Sequence, residues 1–568
     1  MTATTITASE AGDGLHRTID WRGAFWVASG VPALVLFSIG GIAGTTGTPA
    51  FLIWTCSIIL GLIQSFTYAE IAGLFPSKSG GASVYGATAW LRYSKFIAPL
   101  SVWCNWLAWT PVLSLGCSIA AAYILNALAP IPGFTESSPE VLAYMAANAG
   151  TSAADAVTAV TAAATPAIRN WTLFHGTLGP VSFSLNSVFF IGVILMLVTF
   201  AIQHRGILGT ASVQKFIGLV VIIPMLIVGI VPILTGQIHW DNYSPLVPLA
   251  TAYEPAPGSW NVAGWTLVLG GMFIAAWSAY AFETAICYTS EFKNPGRDTV
   301  RAIFYSGLLC LALYTIVPFT FQGVLGLNGM LATPIVDGSG VAEAMARMVG
   351  GAGFVTSIMV MLMIMALMLS IMTAMAGSSR TLYQGSVDGW LPRYLSHVNE
   401  HGAPTRAMWT DLIFNVFLLA IAAADASSFF FVLSVSNCGY IIFNFLNLNS
   451  GWIHRIDNGH IHRPWKAPTI LIAAGGILSY VNATFMGAGA KVWNPWALWA
   501  GFIAAALIIP VFCFRHYVQD GGRFPAHMLD DLGITQEDLK VRKAGILPYL
   551  TLIAGVAVVL LANWFFQI

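Results

Sequence analysis

Long apolar stretches separated by short polar segments recur along most of this chain. Thirteen of them approach or exceed the ~20 residues that an α-helix needs to cross the hydrocarbon of a bilayer. Their approximate limits are residues 26–48, 50–75, 96–129, 184–203, 209–235, 263–289, 302–328, 353–383, 406–424, 428–449, 468–487, 495–515 and 545–566. The pattern predicts an all-α polytopic membrane protein of about 12–13 spans, with the lipid bilayer as its surroundings. Two segments break the alternation. Residues 130–183 are long and rich in Ala and Thr, and the run from Val141 to Ala164 predicts a surface helix. Residues 516–544 carry Asp530, Asp531, Glu537, Asp538, Lys540, Arg542 and Lys543 around Met528, Leu529, Leu532, Ile534 and Leu539. That mixture suits a short amphipathic helix or a solvated connector. The expected organisation is a polar tail (1–23), a core of twelve spans (24–515) with an outside insertion (130–183), a connector (516–544) and an extra C-terminal span (545–568).

Composition sharpens the class. Hydrophobic residues make up 57% of the chain and charged ones only 8%, against roughly 25% charged in a soluble domain. Charge also orients the spans. With the N-terminus inside, 21 of the 24 Lys and Arg residues fall on the cytoplasmic side, and only Arg169, Arg347 and Lys491 fall outside. Such asymmetry is the positive-inside signature, and one missed span would scramble it. The net charge is zero and no basic block is long enough to imply a nucleic-acid partner. Residues 1–23 are polar, so no cleavable signal peptide is expected. The seven cysteines lie in predicted spans without metal-ligand spacing, and no carboxylate or cysteine cluster joins His454, His460 and His462. Neither a metal nor a cofactor is expected, which weighs against a membrane-embedded enzyme. No repeated filter segment argues for a channel.

The chemistry is expected where membrane rules are broken, since unwound backbone at bilayer depth is tolerated only where it lines a cavity or binds a ligand. The run Gly40 to Gly47 in span 1 holds too much Gly and Thr for an undisturbed helix. Close packing accounts for Gly40 and Gly41, and less well for Gly44-Thr45-Thr46-Gly47. Span 6 holds Trp277 and Glu283 within an apolar stretch. A carboxylate there costs at least ~2.5 kcal/mol on insertion scales and marks a functional site or a structural hydrogen bond between helices. Function is the default inside a membrane, which makes Glu283 a candidate proton carrier.

Four cytoplasmic motifs give this pattern a likeness. They are Tyr68-Ala69-Glu70-Ile71-Ala72 with Pro76, Gly80-Gly81 and Tyr85; Glu291-Phe292-Lys293-Asn294-Pro295-Gly296-Arg297; Ser379-Arg380 with Asp388-Gly389-Trp390-Leu391-Pro392 and Pro404; and Arg463-Pro464-Trp465-Lys466-Ala467-Pro468. In this order and spacing the chain resembles the amino acid, polyamine and organocation (APC) superfamily of permeases, from about residue 20 to 515. The resemblance implies an inverted five-plus-five repeat with discontinuous spans 1 and 6. It implies an alternating-access transporter for an amino acid or related small amine in a prokaryotic plasma membrane, proton-coupled or exchanging, with a polyamine antiporter as the alternative. By the same likeness substrate lies against Ala43, Gly44, Thr45, Thr46 and Gly47 of span 1 and against Trp277, Ala281, Phe282, Glu283 and Thr284 of span 6. Met375 of span 8 and Asn437 of span 10 supply walls. Trp277 stands where relatives place a gate, and Glu283 is the proton site.

Overall fold

A computed structural model describes residues 15–131, 134–148, 150–179, 181–535 and 537–567. The first 14 residues of the expected tail lie outside them. All thirteen apolar stretches appear as helical spans. Twelve are long and apolar enough to cross a membrane: Trp21–Thr46, Ala50–Gly73, Ile97–Leu128, Gly206–Leu234, Val262–Glu291, Pro295–Met330, Phe354–Val387, Thr405–Ala422, Ala426–Asp457, Thr469–Trp493, Ala497–Gln519 and Leu547–Phe565. The expected fourth span is Ser187–Gln203, with 17 residues. At about 1.5 Å per residue it is about 26 Å long, close to the ~30 Å hydrocarbon core. The spans keep their numbers 1 to 13 below.

Burial divides these spans into an inner and an outer set. The most apolar window of span 1 is 89% buried and that of span 10 is 83%, against 33% for span 12 and 22% for span 13. The outer spans present Ile413, Ile470, Ile503 and Ile553 outward, as lipid-facing surfaces require. Span 2 packs against span 7 and span 3 against span 8, which is the pairing that an inverted repeat of spans 1–5 and 6–10 produces.

Local chemistry shapes the interruptions. In span 1 the α-helix Trp21–Val27 gives way to a tighter 3-10 segment, Ala28–Phe37, before α-helix resumes over Ile39–Thr46. Pro32 lies inside the 3-10 segment; it has no N–H to give to the preceding turn. In span 6 the α-helix Val262–Ala279 ends, and 3-10 turns follow at Ala281–Ile286 and Thr289–Glu291. Span 3 is made of two helices, Ile97–Trp109 and Pro111–Leu128, joined at Thr110.

The insertion differs from expectation. The single surface helix expected over Val141–Ala164 is two helices, Pro139–Ala147 and Ala153–Ala164, with Gly150 at φ +95° between them. Beyond them Thr172–Leu178 and Val181–Asn186 pair as an antiparallel hairpin. The connector carries a seven-residue helix, Ala526–Leu532, whose Met528, Leu529 and Leu532 are buried. It is docked on the inner face rather than solvated all round.

Candidate functional site

Unwinding span 1 frees carbonyl groups at bilayer depth, and each unsatisfied one would cost several kcal/mol. Side chains from four other spans cover them. The Thr373 hydroxyl of span 8 donates to Val27 O at 2.6 Å, and Gln214 Nε2 of span 5 donates to the same carbonyl at 3.1 Å. Ser370 of span 8 donates to Gly30 O at 2.8 Å. The Tyr314 hydroxyl of span 7 lies 2.8 Å from Val31 O and 3.0 Å from Ser278 O, so one group braces both interruptions. Ser278 of span 6 reaches Leu34 O at 3.5 Å.

Between the two interruptions lies a small cavity lined by Gly30, Val31, Leu34, Trp109, Val112, Ala281, Thr284, Ser370, Thr373 and Ala374. Spans 1, 3, 6 and 8 all contribute. The cavity has room for about one water molecule, so an amino acid enters only if these spans move apart. A far larger cavity of about 540 Å³ lies between spans 3, 10, 11, 12 and 13. Its walls are apolar side chains such as Phe96, Met486, Leu552 and Val556, the surface expected of a groove facing lipid.

The interruption of span 1 does not fall where the sequence suggests. Gly44, Thr45 and Thr46 lie in regular α-helix, and Gly47 caps it. The Thr45 and Thr46 hydroxyls donate to Gly41 O at 2.9 Å and to Ile42 O at 2.7 Å. Hydroxyls bonded to the preceding turn fit within a helix and do not open it. Ala43 O accepts the Gly47 N–H at 2.8 Å. The glycines serve packing: a Cβ on Gly40 would lie 2.1 Å from Ile335 O, and one on Gly44 would lie 2.7 Å from the Tyr253 ring. The interruption is Ala28–Phe37, about three turns nearer the N-terminus, and Ser29-Gly30-Val31-Pro32 is the sequence signal for it.

Span 6 is interrupted where expected. Ala281 and Thr284 line the cavity. Phe282 points away, toward Gly61 of span 2 and Gly307 of span 7. Trp277 lies one turn farther out, its indole N–H 2.9 Å from Ala108 O and 3.0 Å from Ser436 Oγ. Met375 is buried beside the cavity while its neighbour Ala374 forms the wall. The Asn437 amide donates to Phe273 O and its Oδ1 has no partner.

Glu283 is 1% exposed and accepts one side-chain hydrogen bond, from Trp109 Nε1 to Oε1 at 3.1 Å. Its Oε2 has no partner. The other intramembrane carboxylates are satisfied. Asp411 accepts from Trp106 at 2.8 Å, Thr110 at 2.5 Å and Ser378 at 2.6 Å. Glu70 faces Arg455 at 2.6 Å and Arg463 at 3.3 Å. Among the described residues, Glu283 is the intramembrane carboxylate left with a buried, unpartnered oxygen.

A profile of the amino acid permease family matches residues 19–509, which includes both interruptions and all four motifs. The chain belongs to the amino acid permease family. The permease is 23% identical over 265 residues to a branched-chain amino acid permease of Lactococcus lactis, covering 45% of this chain and 52% of that protein. It is 24% identical over 220 residues to the Bacillus subtilis branched-chain amino acid permease, covering 37% of this chain and 42% of that one. A mitochondrial cationic amino acid transporter of Arabidopsis thaliana is 27% identical over 382 residues, with 66% of this chain and 52% of the relative covered. The permease therefore spans about half or less of the length of these relatives. The family is one of transporters, and the expectation of a transporter rather than an enzyme holds.

In the permease the four motifs interlock. Glu291 pairs with Arg380, whose Nη2 lies 2.9 Å from Oε1. Lys78 Nζ lies 2.8 Å from Asp388 Oδ1 and 3.1 Å from Asp531 Oδ2 of the connector. Arg463 joins Glu70, which also accepts the Ala467 N–H at 2.8 Å. Lys78 and Asp531 also line a polar cavity of about 380 Å³, with Arg17, Gln384 and His527 among its other walls.

Burial opposes the charge on Lys78, but Asp388 and Asp531 outweigh it and hold its pKa above the ordinary value. Burial likewise opposes ionisation of Asp388, yet Lys78 and the surrounding hydrogen bonds hold its pKa below the usual carboxylate range. A depressed carboxylate stabilises above its unfolded pKa and loses that contribution as pH falls through the folded value; a raised lysine stabilises below its unfolded pKa and loses it as pH rises through the folded one. The pair is thus intact between about pH 4 and about pH 10. Asp388→Asn is expected to lower thermal stability by a constant amount across that window, and the gap from wild type should narrow well below pH ~4 and again above pH ~10. Melting curves of both proteins across pH check this.

Proposed function

We propose that the permease moves an amino acid across a prokaryotic plasma membrane by alternating access, with its N-terminus in the cytoplasm. The observation that carries the reading is the meeting of two interrupted spans around one buried cavity. Gly30 has only backbone to offer that cavity, and Ala281 only backbone and a methyl group. The Gly30 N–H of the 3-10 segment of span 1 donates to Thr373 Oγ1 at 3.2 Å, and exchanging that partner for a substrate carboxylate would suit the site, as the carbonyls of span 6 suit an ammonium group. Apolar walls from Val31, Leu34, Val112 and Ala374 favour an aliphatic substituent. The cytoplasmic placement of 21 of 24 basic residues supports the orientation.

Alternating access has its parts on both sides. Outside the cavity Trp277 closes the way outward, and above it the segment before span 6 covers the end of span 1, with the Leu249 N–H donating to Thr46 O at 3.3 Å. Inside, the Gly80-Gly81 turn and the interlocked motifs close the way inward.

Glu283 is the proton site in this reading. One proton moving down a gradient of one pH unit supplies about 1.4 kcal/mol, enough for about tenfold accumulation of a co-transported solute. Purified protein in liposomes should accumulate at least one of the twenty amino acids when an inward proton gradient is imposed, and polyamines should not substitute. Glu283→Gln keeps the shape and removes the titrating group. It is expected to lose gradient-driven accumulation, about tenfold per pH unit, while retaining exchange of internal for external substrate. Accumulation by the variant equal to wild type would contradict a proton role for Glu283, and uptake of polyamines alone would contradict the amino acid reading.

A further inference from the structure

Glu283 does not itself line the cavity. Trp109 stands between the two. One part of its indole forms cavity wall, and its Nε1–H is the side-chain donor on Glu283 Oε1 at 3.1 Å. On the far side of Glu283 is the inner turn. A Cβ built on Gly81 would be 3.7 Å from the unpartnered Oε2 and 3.7 Å from Asn105 Nδ2, which is also unpartnered. Gly80 and Gly81 hold this turn at φ +108° and +88°, a backbone region that glycine enters without penalty. Gly80 N–H donates to Cys287 O at 2.9 Å, and the Thr381 hydroxyl donates to Gly80 O at 2.8 Å. The neighbouring Ser79 hydrogen-bonds Ser290 at 2.6 Å, and Ser290 lines the polar cavity that Lys78 and Asp531 also line. The order through the molecule is therefore cavity, Trp109, Glu283, inner turn, polar cavity.

Trp109 is also placed to move. It is the last residue of helix Ile97–Trp109, two positions before Pro111, and a proline weakens the turn before it by removing a hydrogen bond. Its ring contacts are aromatic: Tyr440 edge-on with centroids 5.1 Å apart, and Trp277 at 6.3 Å. Because the cavity holds about one water, an entering amino acid must displace part of its wall.

We propose that Trp109 is a positioning residue that couples occupancy of the cavity to the protonation of Glu283, and through that carboxyl to the Gly80-Gly81 turn. An occupant that shifts the indole removes or restores the N–H donated to Oε1. A donor to the ionised carboxyl favours that form over the neutral one, so substrate and proton each alter the binding of the other by the same factor. The titratable side chains close enough to feel the charge of Glu283 are Cys287 and Tyr288 on its own span, Tyr68 on span 2, Tyr85 beside the inner turn and Tyr440 on span 10. The nearby cation, Arg380, is already paired with Glu291. None of these lines the cavity, and Trp109 is the wall residue bonded to Glu283.

This inference rests on the amino acid reading of the cavity, and its test separates the two. Binding of L-leucine and L-arginine to detergent-purified protein is measured at about pH 5.5 and about pH 9, far enough apart to span the titration of a buried carboxyl. Wild-type Kd for the amino acid that binds is expected to differ between the two by at least about fivefold, the lower end of typical coupling. Trp109→Phe keeps an aromatic wall and deletes the N–H; its Kd ratio is expected to fall within about twofold of unity. Glu283→Gln should do the same, and the double variant should lose nothing further. Trp109→Phe retaining the wild-type ratio, or weakening binding equally at both pH values, overturns the coupling role while leaving the amino acid reading intact. Absence of binding by wild type overturns the reading of the cavity and the proposal with it.

Discussion

Gly30→Val is expected to abolish amino acid uptake while the protein still folds. A Cβ at Gly30 would lie 2.4 Å from Leu369 O, 2.5 Å from Thr373 Oγ1 and 2.6 Å from Leu369 C. Two of those atoms are backbone of span 8, so spans 1 and 8 must separate. Overpacking of this kind costs about 1–3 kcal/mol, which the rest of a thirteen-span molecule tolerates. Transport suffers more, because the added methyl groups occupy the cavity and the shift breaks the Ser370 and Thr373 hydrogen bonds that hold the interruption open. Gly476→Ala in span 11 is the control: its nearest atoms are 4.0 Å away, and uptake and melting temperature should both stay at wild-type values. Liposome uptake beside thermal melts distinguishes loss of the site from loss of the fold.

Arg380→Met is expected to give the largest loss of stability. Both side chains of the Arg380–Glu291 pair are buried, 4% and 0% exposed. Removing the guanidinium strands a carboxylate away from water, at a cost of about 3–5 kcal/mol. Arg380→Met combined with Glu291→Met removes both charges and should recover most of that loss, since replacing a whole buried pair with apolar groups is often near neutral. Denaturation of the two variants and wild type in one detergent measures the difference. A double variant as unstable as the single one would mean that the pair's geometry, rather than its uncompensated charge, governs this site.

The spans were legible because a bilayer demands long apolar helices, and basic residues gather at one set of their ends. Span 6 was equally readable, because a carboxylate such as Glu283 is rare at that depth. Span 1 misled, because its glycines are concentrated in the outer half. Those glycines answer to close neighbours, Ile335 and Tyr253, that lie hundreds of residues away in sequence. Pro32 was the local sign of the interruption. The hydroxyls that satisfy the opened backbone, on Tyr314, Ser370 and Thr373, carry no mark in the sequence that separates them from ordinary span residues.

Helix type explains the error at Phe282. In a 3-10 turn, residues three apart eclipse one another, so Ala281 and Thr284 share the cavity face and Phe282 is rotated off it. An α-helical reading of span 6 could not place these three side chains. The three tryptophans of span 3 show the same dependence on distant partners. Trp103 donates to Ala504 O at 2.8 Å, Trp106 to Asp411 at 2.8 Å and Trp109 to Glu283 at 3.1 Å. Of the three, Trp109 lines the cavity between the two interruptions.

The most direct test of the central claim is an electron cryomicroscopy structure of the purified protein with the amino acid that stabilises it most against heat. The account predicts ligand density between Gly30-Val31 of span 1 and Ala281–Thr284 of span 6, with spans 1 and 8 farther apart than here. Density in the outer polar cavity beside Asp241 and Asn328, with the space between the two interruptions still closed, would contradict it.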